Sequence, residues 1–221
     1  MVTVPSLDDQ AKIVRKLDTV EAFIDREKLA LTNLQILVKS RFIEMFGDPN
    51  INSKGLSTKL GSELFKIGNG KTKPVACRFE EGVPAYGGNG ISWYTDEELV
   101  NHATIIIGRV GRHCGNTRLV TEPCWVTDNA MYIKDFKGDA FDLVYLSVLM
   151  EIIGFNRFAD AGDLWKITQK PFMEYAYPVP AMSDQKAFAF FARQAAKLEF
   201  VAQRQNADPV QYNTHRSEEE R

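Results

Sequence analysis

Two stretches of this chain carry cations and no acid. Leu64 to Phe79 holds Lys66, Lys71, Lys73 and Arg78, and Leu99 to Thr121 holds His102, Arg109, Arg112, His113 and Arg118. An acidic stretch separates them, with Glu80, Glu81, Asp96, Glu97 and Glu98. Both windows are rich in Gly and Asn, as in Gly68-Asn69-Gly70 and the segment Gly108 to Gly115. Loops of this kind can grip phosphate oxygens with Lys and Arg, while Asn or Arg on a glycine-flanked turn reaches base edges. Two ordinary solvated loops would have the same composition, so charge alone does not decide between these readings. The turn Tyr86-Gly87-Gly88-Asn89-Gly90-Ile91, followed by Trp93-Tyr94, carries the same ambiguity. It reads as a hairpin with packed aromatics, or as a backbone that approaches a nucleic acid closely and presents Asn89.

Other chemistries find less support. Gly70-Lys71-Thr72 invites a phosphate-loop reading, but that motif needs a glycine at position 65, which is Phe65. Asp48-Pro49-Asn50 lacks the second proline and the aromatic of an amino-methyltransferase loop, and no glycine-rich strand-to-helix turn with a downstream acid is present. Neither a cofactor site nor a metal site is expected in the chain. His113 beside Cys114 leaves a small hydrolase open as an alternative, although neighbours on a strand point to opposite faces. The three cysteines, Cys77, Cys114 and Cys124, form no C-x-x-C pair, which argues against a disulfide framework and suits a reducing cytoplasm. A formal net charge of −2 gives no global basic signal. No apolar run approaches the length of a membrane span.

The elements that must position these residues follow from periodicity. From Ile13, apolar residues recur at alternating steps of four and three: Ile13, Leu17, Val20, Ile24, Leu31, Leu34, Val38 and Met45. This predicts a long amphipathic helix with a coiled-coil seam, interrupted at Glu27 and Arg41. Pro5 fixes its start, Ser6 or Asp8 caps it, and Gly47 with Pro49 ends it. About 38 residues give a rod on the order of 57 Å, which cannot bury its stripe alone. From Leu60 to Ile133, short β-branched and aromatic runs separated by Gly turns predict strands. Helical spacing returns from Phe141 to Ile153, and a second, weaker helix carries Phe188, Phe191, Ala195, Leu198 and Ala202.

Both long helices open on related joints. Val4-Pro5-Ser6-Leu7-Asp8-Asp9-Gln10 is answered by Val179-Pro180-Ala181-Met182-Ser183-Asp184-Gln185. The chain therefore reads as helix, globular domain, helix, with one joint used twice. The expected bounds are a spacer helix at 1–46, a recognition domain at 47–180, a second helix at 181–205 and a disordered tail at 206–221. The class is α+β: a mixed or antiparallel β-rich domain with short helices, flanked by a long coiled-coil-like helix and a shorter one.

Together these features resemble the specificity subunit of type I restriction–modification systems. The duplicated joint is similar to that family's exit from a target-recognition domain into a spacer helix. Ser40-Arg41-Phe42-Ile43-Glu44-Met45-Phe46-Gly47 is similar to its way into the next domain. Val83 to Ile91, Ile105 to Gly111 and Trp125 to Ala130 resemble its recurrent core segments in the same order. A full subunit has two recognition domains, and this chain has one, so it looks like half a subunit, either a fragment of the C-terminal half or the product of a naturally split gene.

The resemblance implies a non-catalytic, cytoplasmic protein that binds one half of a bipartite double-stranded DNA target. It would dock modification (methyltransferase) subunits, which carry S-adenosylmethionine, and through them a restriction subunit. The expected DNA-binding residues are Lys71, Lys73, Arg78, Tyr86, Asn89, Arg109, Arg112, His113, Asn116 and Arg118. Leu17, Ile24, Leu31, Leu34, Val38, Phe188, Phe191 and Leu198 are expected to pair helices. The uncovered part of the stripe, placed around Leu31, Leu34 and Val38, would recruit a second copy or the other half of a subunit. The competing reading is a coiled-coil interaction module that binds protein and not DNA.

Overall fold

The computed structural model describes residues 4–160, 162 and 164–207, with the backbone alone from 199 to 207. The expected tail lies outside the described residues, apart from 206 and 207, which close the second long helix. The chain divides into two units, one of residues 4–40 and 191–207 as described, the other Arg41–Phe190. Both divisions fall inside a helix. The globular unit therefore extends past the expected 47–180 bounds, because Phe42, Phe46 and Phe188 belong to its core.

Helix α1 spans Leu7–Phe46. The Ser6 hydroxyl accepts from the Asp9 N–H at 3.2 Å and donates to the Asp9 carboxylate at 2.6 Å, so Ser6 is the cap. At the far end the Gly47 N–H donates to Ile43 O at 2.8 Å, with Gly47 at φ +77°. Helix α5 spans Met182–Ala207. The repeated joint is structural too: Gln10 Nε2 donates to Pro5 O, and Gln185 Nε2 to Pro180 O, both at 2.9 Å. Gln185 is fully buried and also bonds Ala140 O and the Asp142 N–H, both at 2.9 Å.

In the helical unit, Leu31, Leu34, Val38 and Phe191 are half-buried, and Ala192 and Ala195 are buried. Ile13, Leu17, Val20, Ile24 and Leu198 are exposed, Leu17 to 61% and Leu198 to 60%. This corrects the expectation that the uncovered stripe lies around Leu31, Leu34 and Val38. The exposed part lies toward the start of α1. Phe188 of α5 does pair the two long helices, inside the globular core, where its ring meets Phe42 and Phe46 of α1. Among the described residues, no helix is long and apolar enough to cross a membrane.

Among the described residues, the globular unit holds three sheets. β2 (Phe65–Asn69), β8 (Ala130–Phe136), β5 (Thr104–Gly108) and β6 (Thr117–Val120) form an antiparallel sheet in that order. β4 (Gly90–Thr95), β3 (Val83–Gly87) and β7 (Trp125–Val126) form a mixed one, with β3 and β7 parallel. β1 (Thr58–Leu60) pairs with β9 (Ala176–Pro178), joining the two ends of the unit.

β5 is the most buried strand. Ile106 joins a cluster with Tyr86, Val120, Cys124, Val126 and Tyr132. Ile105 and Ile107 project from the opposite face, both fully buried. Burial on both faces accounts for the continuous apolar run. Helix α3 (Leu143–Ile153) lies against β5 and β6. Asp142 caps it, accepting from the Val144 and Tyr145 N–H groups at 2.8 and 3.3 Å, and Gly154 ends it at φ +68°. Short helices α2 (Gly61–Leu64) and α4 (Lys170–Glu174) pack on each other. Gly68-Asn69, expected in a turn, lies in β2, where Gly68 pairs with Tyr132. A methyl there would sit 2.9 Å from the tyrosine ring, so glycine serves packing and not turning.

Candidate nucleic-acid interface

β5 ends in a closed loop. The Gly108 N–H donates to Asn116 O and the Gly115 N–H to Gly108 O, both at 2.8 Å, and the Asn116 N–H to His113 O at 3.1 Å. A methyl on Gly108 would lie 2.1 Å from His113 O, and Gly115 sits at φ +82°, so both positions require glycine. The β3–β4 turn packs directly on this loop. A methyl on Gly88 would lie 3.3 Å from Gly108 Cα and 3.8 Å from His113 Cβ. The Arg118 guanidinium is 3.6 Å from the place a methyl on Gly90 would occupy.

The two turns thus share a cleft of about 300 Å³. Asn89, Asn116 and Arg118 line it, with Glu151 and Asn156 facing them from the end of α3 and the segment after it. An asparagine amide offers a donor and an acceptor side by side, and Arg offers parallel donors, the patterns that match adenine and guanine edges. Arg109, Arg112 and Arg118 are exposed, and no carboxylate lies within ion-pair distance of them among the described residues. His113 is half-exposed, its Nδ1 3.4 Å from Asn116 Nδ2.

The first basic window behaves differently. Lys73 is 7% exposed; its ammonium meets Asp96 and Glu97 at 3.1 Å each and donates to Thr95 Oγ1 at 2.6 Å. It also lies 4.7 Å from the Trp125 ring centroid. Burial lowers the Lys73 pKa, but hydrogen bonds and attraction from Asp96 and Glu97 raise it further, for a net rise above 10.5. Lys73 is therefore an internal cation, which corrects its assignment to the phosphate-facing set. Arg78 lies over the Trp93 ring at 5.2 Å and donates to Lys73 O at 3.2 Å. Tyr86 is corrected as well. Its ring is in the core, and its hydroxyl donates to Glu122 at 2.7 Å; burial first, then Glu122, pushes its pKa well up. Lys71 remains exposed; its N–H donates to Val126 O and its carbonyl accepts from the Trp125 indole N–H.

Lys166 and Lys170 were missed by sequence reasoning. With Arg109, Asn69, Asp128 and Gln169 they line a second groove, of about 620 Å³. Lys166 reaches Arg109 because residues 165–167 pair with 109–111: the Gly111 N–H donates to Trp165 O at 2.8 Å and the Ile167 N–H to Arg109 O at 3.0 Å. That pairing spans more than fifty residues and leaves no periodic signal.

The hydrolase alternative finds no support. Cys114 is 1% exposed, its thiol donates to Arg109 O at 3.3 Å, and burial raises its pKa, which disfavours the thiolate. Burial and then Glu122 push Cys124 up to about 11.

In fold, this is the architecture of the specificity subunits of type I restriction–modification systems. The specificity subunit from M. genitalium superposes with a TM-score of 0.71 at 15% identity, over 95% of this chain and 60% of that one. The HsdS subunit from Thermoanaerobacter tengcongensis gives 0.53 at 16%, over 91% and 54%. A chain from a type I restriction–modification system studied for complex assembly and conformational transition gives 0.61 at 16%, over 93% and 57%. In sequence, the chain is 26% identical over 190 residues to the specificity subunit of the Escherichia coli type I restriction enzyme EcoprrI. It spans 46% of the length of that relative. No family model matches the chain.

Proposed function

We propose that this chain is a DNA-specificity half subunit of a type I restriction–modification enzyme, recognising one half of a bipartite target. The observation that carries the reading is the closure of two acid-free, glycine-built turns on one cleft, beside three arginines without carboxylate partners among the described residues. Similarity to specificity subunits supports it. Asn89, Asn116 and Arg118 meet base edges, with His113 bracing Asn116, while Lys71, Arg109 and Arg112 hold phosphates.

The chain performs no catalysis. Modification subunits dock on it and bring S-adenosylmethionine and the methyl-transfer residues, and the restriction subunit joins through that complex. The exposed stripe Ile13, Leu17, Val20 and Ile24 packs against a second copy or the other half of a subunit. Such a complex works in the cytoplasm.

Co-expression with a modification subunit, followed by selection from a randomised duplex library, tests this. The expected result is enrichment of two short defined elements separated by a fixed unspecified spacer. With two copies of this chain, the elements form an inverted repeat. Duplexes recovered without any shared sequence contradict the proposal, as does methyl transfer by the pure chain alone.

A further inference from the structure

Three tryptophans serve as internal controls for one another. Trp125 is 8% exposed, is covered by the Lys73 ammonium and donates its indole N–H to Lys71 O at 3.0 Å. Trp93 is half-buried and covered by the Arg78 guanidinium. Trp165 is 49% exposed, and among the described residues its ring has no cation over it and its indole N–H no acceptor.

The backbone that displays this ring is nonetheless tied down. Trp165 O accepts from the Gly111 N–H, Lys166 bridges to both Val110 and Asp160, and Ile167 is 2% exposed. Trp165 directly precedes Lys166, which with Arg109 and Lys170 lines the second groove; Lys170 also meets Glu174 at 3.8 Å, and Asp128, the acid that lines the groove among the described residues, accepts from the Thr72 hydroxyl at 3.2 Å. A large apolar ring, half-exposed on ordered backbone next to a cation-lined groove, matches what stacks on or wedges between bases.

We infer that Trp165 is an apolar wedge for bound DNA: it lies against a base step and unstacks it, while Arg109, Lys166 and Lys170 hold the flanking phosphates. This rests on the DNA-specificity reading and adds distortion of the duplex to it, at a place outside the Asn89–Arg118 cleft. A deformed step makes recognition depend on how easily that sequence unstacks, without any contact to its base edges.

The test uses the complex with the modification subunit and duplexes recovered by selection, carrying 2-aminopurine at successive positions. Wild type raises the fluorescence at one step. Trp165→Ala abolishes that rise and weakens binding by about tenfold, with an unchanged melting temperature. Trp165→Phe retains part of both, and Lys166→Ala with Lys170→Ala lowers the salt dependence. Trp165→Ala binding as tightly as wild type with the same rise overturns the inference. So does a variant that binds DNA normally but loses the modification subunit, which would make Trp165 a protein-docking residue. A wild-type complex that binds no duplex removes the underlying reading and the wedge with it.

Discussion

The two basic windows are alike in sequence and opposite in the fold. In Leu64–Phe79, Lys73 is held by two carboxylates and a threonine, and Arg78 lies on a tryptophan face. In Leu99–Thr121, Arg109, Arg112 and Arg118 stand exposed around turns whose own hydrogen bonds are satisfied by backbone. The lesson concerns availability. An acid-free window is free of acids only along the chain, and Asp96 with Glu97 reaches Lys73 from more than twenty residues away. A cation that has already exchanged water for carboxylates gains little from a phosphate, whereas an exposed arginine releases the counterions of the phosphate it meets.

The largest expected effect follows from that contrast. Reversing Arg109→Glu together with Arg112→Glu should weaken target binding by the full complex about a hundredfold or more at moderate salt, measured by fluorescence anisotropy. A smaller, sequence-selective effect is expected in the cleft. Arg118→Ala or Asn89→Ala should cost about 1–3 kcal/mol and relax preference at one base position, read from binding across single-base variants. Uniform weakening over all variants would make these residues phosphate contacts instead.

The smallest effect belongs to Lys73. Lys73→Met should lower the melting temperature and leave DNA discrimination unchanged. Its partner gives the pH signature. The hydrogen bond from Lys73, followed by the Asp96 backbone amide and Thr95, holds the Asp96 carboxyl below its ordinary 3.8. A depressed carboxylate stabilises the fold above the unfolded value and loses that contribution as pH falls through the folded one. The stability gap between wild type and Asp96→Asn should therefore be full at neutral pH and close in acid below 3.8, by thermal melts across pH.

What was legible in the sequence was local. The heptad stripe gave α1, the Phe141–Ile153 pattern gave α3, and the apolar run Thr104–Ile107 gave the strand buried on both faces. The α+β class follows from those periods. The turns at Gly87–Gly90 and Gly108–Gly115 were readable because positive φ and close backbone approach demand glycine there. The strand order β2-β8-β5-β6, the parallel β3–β7 pair and the 109–111 pairing with 165–167 were not, since register between distant segments leaves no periodic trace. The same limit hid the fate of Lys73 and Tyr86. A tyrosine in an alternating strand reads as readily outward as inward until the sheet above it is known. Lys166, Lys170 and Trp165 were overlooked because they lie in a segment without regular spacing, and only its pairing beside Arg109 gives them a place.

One measurement bears most directly on the division between committed and free cations: the slope of log binding constant against log salt for the complex on its selected duplex. Each lost phosphate contact should reduce the slope by about 0.9. Arg109→Ala with Arg112→Ala should therefore flatten it by about 2, while Lys73→Met should leave it unchanged. Equal flattening by both variants, or none by the arginine pair, would contradict the account.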